Sequence, residues 1–284
     1  MTDSAFHWPA GRAAALSVTF DLDAESVVLA VDAGYARRPS VISHQAYGPL
    51  TGLPRLLGML ADRSLRATFF VPGFSAERHP AAVEAILAGG HEVAHHGYLH
   101  RPPASLSEAE EREEIERGLA ALEHHGVRPG GYRSPWWDVS PRTLGLLAEY
   151  GFAYDASLFD RDTPYPIATE AGVIVEVPQS WVFDDWERYA FLPDPPAGQG
   201  VIEQPSRVAE AWWEEIEGYR RTGGCAVLVN HPFLSGRPAR TIALGDLLDR
   251  ALEAADLWVA PMEEIAAHAA GLGLDHIEVD LPRL

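Results

Sequence analysis

The sequence predicts an α/β protein folded as one closed or nearly closed βα barrel. Three observations carry that prediction. Short runs rich in β-branched and aromatic residues alternate with helical patterns along the chain, as expected of parallel strands joined by crossover helices. Seven or eight such strand-helix units fit into 284 residues, a length at which barrels routinely form one domain although the ordinary length prior gives about two. No composition shift, linker, internal repeat or low-complexity tract divides the chain, so residues 1–284 are expected to form a single domain.

The first strand is expected over 16–21, where an apolar run ends in Asp21. Helix 54–63, strand 67–71, helix 80–88 and strand 92–95 follow. The helix over 108–124 has the clearest start: Ser107 can cap its free amides, Ser105-Leu106-Ser107-Glu108 offers an alternative capping box, and Gly126 ends it. Next come strand 131–134, helix 141–150 with Ser140 as cap and Gly151 as stop, and a short strand over 153–155. Strands over 173–177, 226–230 and 257–259, with helices around 207–219, 242–254 and 261–270, complete the pattern. Three stretches resist it. Residues 25–52 have no clear periodicity, and 159–172 and 192–204 are rich in turn-forming Pro, Gly and Asp. Long irregular loops on a compact barrel are either lids and specificity elements over the site or surface insertions.

Composition removes several chemistries. The 22 cations against 41 anions give a net charge of −19, and every cation is Arg, because the chain contains no Lys. Schiff-base chemistry, a pyridoxal-phosphate anchor and a phosphate-loop lysine are therefore excluded. The negative balance argues against nucleic-acid partners and anionic polymers, which need clustered cations. The single cysteine, Cys225, permits no intramolecular disulfide and lies in an apolar run, where it reads as a small core hydrophobe. Residues 1–9 carry Asp3 and no basic leader, and no stretch of about 18 apolar residues occurs, so a soluble cytoplasmic protein with no membrane partner is expected.

Candidate chemistry sits at strand ends. In Thr19-Phe20-Asp21-Leu22-Asp23, a continued strand puts both carboxylates on one face, an arrangement that makes sense beside a cation; the alternative is a solvated turn. His91, His95, His96 and His100 fall within ten residues. His96 and His100, spaced by four with Gly97 permitting a sharp turn, can converge on one metal, whereas His95 points to the opposite face and packs behind the site. Gly131-Tyr132-Arg133-Ser134-Pro135-Trp136-Trp137 places an arginine able to hold Asp21 ionised next to two indoles that either stack on a flat ligand or simply pack. His231, in Asn230-His231-Pro232, stands at a further strand end. Catalytic groups of βα barrels gather at that one face.

Taken together and in this order, Thr19-Phe20-Asp21-Leu22-Asp23, His96-Gly97-Tyr98-Leu99-His100, Arg133-Ser134-Pro135-Trp136 and Asn230-His231-Pro232 resemble the motifs of the polysaccharide deacetylase family, also called carbohydrate esterase family four. The likeness runs from residue 16 to about 265. It implies a distorted seven-stranded (β/α) barrel, Asp21 as general base, Asp23, His96 and His100 as metal ligands, Arg133 as the group that orients the base, and His231 as general acid. Leu22 separates the aspartates that common members have adjacent. That departure, Gly97-Tyr98, the Asn-His-Pro context, and Val175-Glu176-Val177-Pro178 before Trp181 are similar to a branch holding intracellular-type peptidoglycan deacetylase relatives, cyclic imide hydrolases and metal-independent allantoinases. The resemblance further implies Trp136, Trp137, Trp181 and Asp185 as substrate contacts, with Asp184 and Asp185 either lining the site or spent on helix capping and solvation, and a homo-oligomer, a tetramer.

The expectation is a metal-dependent hydrolase of a non-peptide C–N bond. Zinc is the first choice of metal, ahead of another divalent transition metal, because an Asp/His/His set leaves a coordination position open. The substrate is expected to be a small amide, a cyclic imide or an N-acetylated sugar, since a −19 surface repels anionic polymers. The alternatives are a metal-independent, allantoinase-like ureide hydrolase and a non-catalytic carbohydrate-binding barrel, the latter disfavoured by the presence of ligands, base, orienting arginine and acid together.

Overall fold

A computed structural model describes residues 6–193, 196–197 and 201–282. The strands are β1 (Ala14–Asp21), β2 (Thr68–Val71), β3 (Glu92–His95), β4 (Gly131–Tyr132), β5 (Tyr154–Asp155), β6 (Tyr165–Thr169), β7 (Gly172–Glu176), β8 (Leu192–Pro193), β9 (Pro196–Ala197), β10 (Cys225–Asn230) and β11 (Leu257–Val259). Seven of them, in the order β10-β1-β2-β3-β4-β5-β7, pair in parallel and wrap into the expected barrel. Strand β11 adds a further parallel partner to the start of β1. Between β7 and β10 the ladder is interrupted, and this seam is spanned by an isolated bridge from Asp184 to Val229 and by a hydrogen bond from Cys225 N to Asp162 O. Among the described residues no helix is long and apolar enough to cross a membrane.

Strand β1 explains how one segment serves two environments. Its even-numbered side chains, Leu16, Val18 and Phe20, join the main core cluster with helical Leu56, Leu60, Leu244 and Leu248. Its odd-numbered side chains face the other way, as the two-residue period of a strand requires, and from Ser17 through Thr19 to Asp21 they are polar and fully buried. The outer face therefore binds the helices while the inner one carries functional groups into the barrel. Arg133, which follows β4, reaches Thr19 and Asp21 on β1, so its guanidinium spans the lumen.

Most predicted elements are present with ends moved by one to a few residues. The capping box on helix Glu108–Glu123 is formed by Ser107 and Glu110, and the alternative starting at Ser105 is not used. Ser140 accepts from Arg142 N (3.1 Å) ahead of helix Thr143–Glu149. Two expectations are corrected. Residues 25–52 are not an irregular loop: they form helices Ser26–Val31 and Pro39–Tyr47 with a tight 3-10 turn at Ala33–Arg37 and a wider π-helical turn at Gly48–Gly52. Their short length hides any apolar stripe, and they are held by tertiary contact, Gly48 against Phe233 and Gly52 against the Pro232 carbonyl. Residues 159–172 contain β6, antiparallel to β7 and at the end of the sheet order. Its Pro166 argues against a central strand but is tolerated at an edge. The predicted 192–204 stretch lies partly outside the described residues.

Candidate active site

The barrel places Asp21, Asp23, His96, His100, Arg133 and His231 around one cavity or directly behind it. Arg133 is fully buried and donates from Nη1 to Asp21 Oδ1 (2.6 Å) and Thr19 Oγ1 (2.9 Å), and from Nη2 to Gln179 Oε1 (3.2 Å). Its guanidinium carbon lies 4.0 Å from the centre of the Phe70 ring. One Asp21 oxygen is thus committed to a fixed cation, while Oδ2 faces His96 Nε2 at 3.9 Å. A carboxylate so held is fixed in orientation, which a general base needs.

Asp23 is the centre of a second group. Its Oδ1 is 3.5 Å from His96 Nε2 and its Oδ2 is 3.5 Å from His100 Nε2. Neither carboxylate oxygen has a hydrogen-bond partner although both are buried. Burial, reinforced by nearby Asp21, Asp184 and Asp185 against the opposing pull of His231, raises the Asp23 pKa to about 7. Burial holds His96 down at about 3 and His100 well below the usual histidine range, so both imidazoles are neutral at physiological pH. These contacts are therefore not ion pairs. Asp23, His96 and His100 each offer a ligand atom close to the other two, a buried set that could hold a divalent metal ion. His96 Nδ1 is paired with the Arg133 carbonyl oxygen at 2.7 Å, which leaves Nε2 to face Asp23. Ser26 and Ser75 hydroxyls both donate to the Asp23 carbonyl at 2.6 Å, anchoring the backbone of the central ligand.

His231 approaches from β10. Its Nε2 lies 3.5 Å from Asp23 Oδ2, and its Nδ1 is 2.7 Å from Asp185 Oδ1. Burial alone would lower its pKa, but the carboxylates of Asp185, Asp184 and Asp23 outweigh it and hold the imidazole at about 10, protonated in neutral solution. Asp185 also accepts from His231 N and from Ser235 N and Oγ. Here the structure corrects an expectation. Asp185 is fully buried and is absent from the cavity wall; it is engaged with His231 and Ser235 instead of substrate. Asp184 is buried, lines the cavity and accepts at 2.8 Å from Trp186 N, the first residue of helix Trp186–Tyr189, so the helix-capping expectation holds for it alongside its place in the wall. Burial is the first cause that pushes its pKa up to about 7.

The cavity has a free volume of ≈ 90 Å³ and is walled by Trp136, Trp137, Trp181 and Trp186 besides the polar groups. Trp136 and Trp137 both adopt left-handed backbone angles, φ 59° and 51°, which bulky residues avoid at a cost of about 1–3 kcal/mol each. Trp136 stays 41% exposed and meets His100 and Trp186 edge-on. Trp137 is buried beneath Trp181, whose exposed indole stacks on Phe159 with the rings 11° apart. His95, as expected, packs behind the site: Nε2 reaches Ile115 O at 3.1 Å and the ring stacks on Tyr132.

Gln179, Ser235, Trp186, Val27 and Glu187 were not legible as site residues. The hydroxyl of Ser235, one helical turn after His231, had the only usable signal, since i and i+4 share a face. Gln179 follows β7 with no motif around it.

A sequence model of the polysaccharide deacetylases matches residues 21–154. The peptidoglycan deacetylase of Helicobacter pylori is 31% identical over 227 residues, covering 70% of this chain and 77% of its own. Peptidoglycan deacetylase-like protein FGM2 of Gibberella zeae is 28% identical over 235 residues, 72% of this chain and 68% of its own. Among solved structures, one from Mycobacterium smegmatis named for the polysaccharide deacetylases superposes with a TM-score of 0.96 at 47% identity, covering 98% of both chains. Puue allantoinase superposes at 0.81 with 25% identity over 93% of both.

Proposed function

The chain belongs to the polysaccharide deacetylase family and is a hydrolase of non-peptide C–N bonds, and from that premise we propose that it cleaves the amide of a small ring substrate with the help of a divalent metal held by Asp23, His96 and His100. The observation that carries this reading is the position of Asp23: two neutral imidazoles face its unpaired buried oxygens, with the Asp21–Arg133 pair on one side and the His231–Asp185 pair on the other. A bound divalent transition metal, zinc before others for this donor set, would supply a Lewis acid that polarises the carbonyl and acidifies a water.

The protein's own groups do the rest. Asp21, fixed by Arg133, takes the proton of the attacking water. His231 gives its Nε2 proton to the departing nitrogen, and Asp185 at Nδ1 holds the ring in the orientation and charge state required. Trp136, Trp137 and Trp181 exclude water and offer a flat face to a ring.

The test is a hydrolysis screen of N-acetyl sugars, cyclic imides and allantoin on chelator-treated protein, before and after one equivalent of zinc. Activity that returns with metal supports the reading. Full turnover by protein shown to be metal-free overturns it. A metal-free ureide hydrolase is the second reading, favoured by the likeness to Puue allantoinase, and allantoin turnover without metal in the same screen would select it.

A further inference from the structure

The two imidazole ligands of the proposed site differ in how they are aimed. His96 is fixed through its own ring by the Arg133 carbonyl, whereas His100 Nδ1 is buried with no hydrogen-bond partner. Without a hydrogen bond to its ring, His100 Nε2 is aimed at Asp23 by the backbone of the turn that carries it and by the edge-on packing of Trp136 and His96. That turn is unusual: Gly97 and His100 both have left-handed φ, +69° and +61°. A non-glycine residue holds such an angle only where its surroundings fix it.

We propose that Glu114, in the middle of helix Glu108–Glu123, is the positioning residue that fixes this turn; the proposal rests on the reading of Asp23, His96 and His100 as metal ligands. Glu114 Oε2 accepts from both Tyr98 N and Leu99 N at 2.9 Å, gripping the two peptide groups between the imidazoles. The carboxylate is buried, and its second oxygen lies 3.9 Å from Arg101 Nη1. The helix reaches the turn because Gly118, one turn further on, has no side chain: a Cβ there would overlap His95 Nε2 and the Gly97 carbonyl oxygen. The far side of the turn is held by Gly73 N on Gly97 O (3.0 Å) and Phe74 N on Tyr98 O (2.9 Å). Those two bonds fix carbonyls, and Glu114 is the side chain that satisfies the amides. Groups that orient ligands without touching the metal typically contribute about 10–100-fold to metal affinity.

The experiment titrates Co²⁺ into the metal-free full chain and follows both affinity and the visible d–d spectrum. Wild type should bind one equivalent. Glu114→Ala should weaken binding about 10–100-fold and alter the spectrum, while Glu114→Gln, which keeps an acceptor oxygen at the same reach, should restore most of both. Equal Co²⁺ affinity and spectra for wild type and Glu114→Ala would overturn the proposal even if thermal stability fell. Should Glu114→Ala not fold, Glu114→Asp, which withdraws the oxygen by one methylene, takes its place with the same expected weakening, and unchanged affinity again overturns the idea. Failure of the wild type to bind Co²⁺ is a separate outcome: it overturns the metal reading and this proposal with it.

Discussion

Asp185 Oδ1 lies 2.7 Å from Nδ1 of His231, and the same carboxylate accepts the His231 backbone amide. One buried acid thus sets both the position of the loop and the charge of its imidazole. Asp185→Asn removes that charge, so the His231 pKa should fall from about 10 toward the ordinary histidine range. The alkaline limb of kcat/KM should move to lower pH in the variant. An unmoved limb would show that His231 is not the group titrating there. His231→Ala should cost about 10²–10⁴ in kcat, and a loss under about tenfold would remove it as the acid.

His100→Ala takes away one of three ligand atoms. Elemental analysis of the purified variant should show bound metal falling from about one equivalent to a trace, with activity falling in parallel. Retained metal would place the ligand set elsewhere.

Arg133→Ala leaves Asp21 buried without its cation. Breaking a buried pair from one side costs about 3–5 kcal/mol, so the urea midpoint should drop far below that of wild type. A shift within error would mean that Asp21 finds another partner or water in the variant.

Asp155 and Glu176 are register partners on adjacent parallel strands, both fully buried inside the barrel, and Asp155 Oδ2 and Glu176 Oε2 have no hydrogen-bond partner. Burial raises Asp155 to about 6, and burial together with the Asp155 charge raises Glu176 well above the carboxylate range. An acid whose folded pKa is raised binds more protons folded than unfolded. The stabilisation from the protonated pair is therefore whole below about pH 4 and is lost as pH rises through about 6 and beyond. Glu176→Gln removes one titrating group, so its urea-measured stability relative to wild type should improve between pH 4 and pH 8. A constant difference across that range would refute the assignment.

The strand ends of the candidate site were legible in the sequence because each couples a chemical side chain to local punctuation. Asp21 ends an apolar run, Gly97 breaks the chain beside His96, and Pro135 and Pro232 follow Arg133 and His231 closely. Those signals are local. The role of Asp185 is not, since its partner is 46 residues away and only burial shows that it faces inward. Glu114 is hidden in the same way: in a helix crowded with acids, nothing local separates the one pressed against a turn from those in water. The helices within 25–52 escaped because their order comes from contacts with the His231 loop and not from an apolar stripe. Edge strand β6 escaped because Pro166 belongs to edges as well as to loops.

The bridge from Asp184 to Val229, continued by Asp185 N on Val229 O, fastens the seam where β7 and β10 do not pair. Its next side chain is the one that charges His231. Closure of the seam at Asp184 and the charging of His231 are thus carried by adjacent residues: parting of the barrel there would draw the Asp185 carboxylate away from the imidazole. On the proposed role of His231 as acid, amide exchange at the Asp185 N–H should rise in step with the loss of proton delivery.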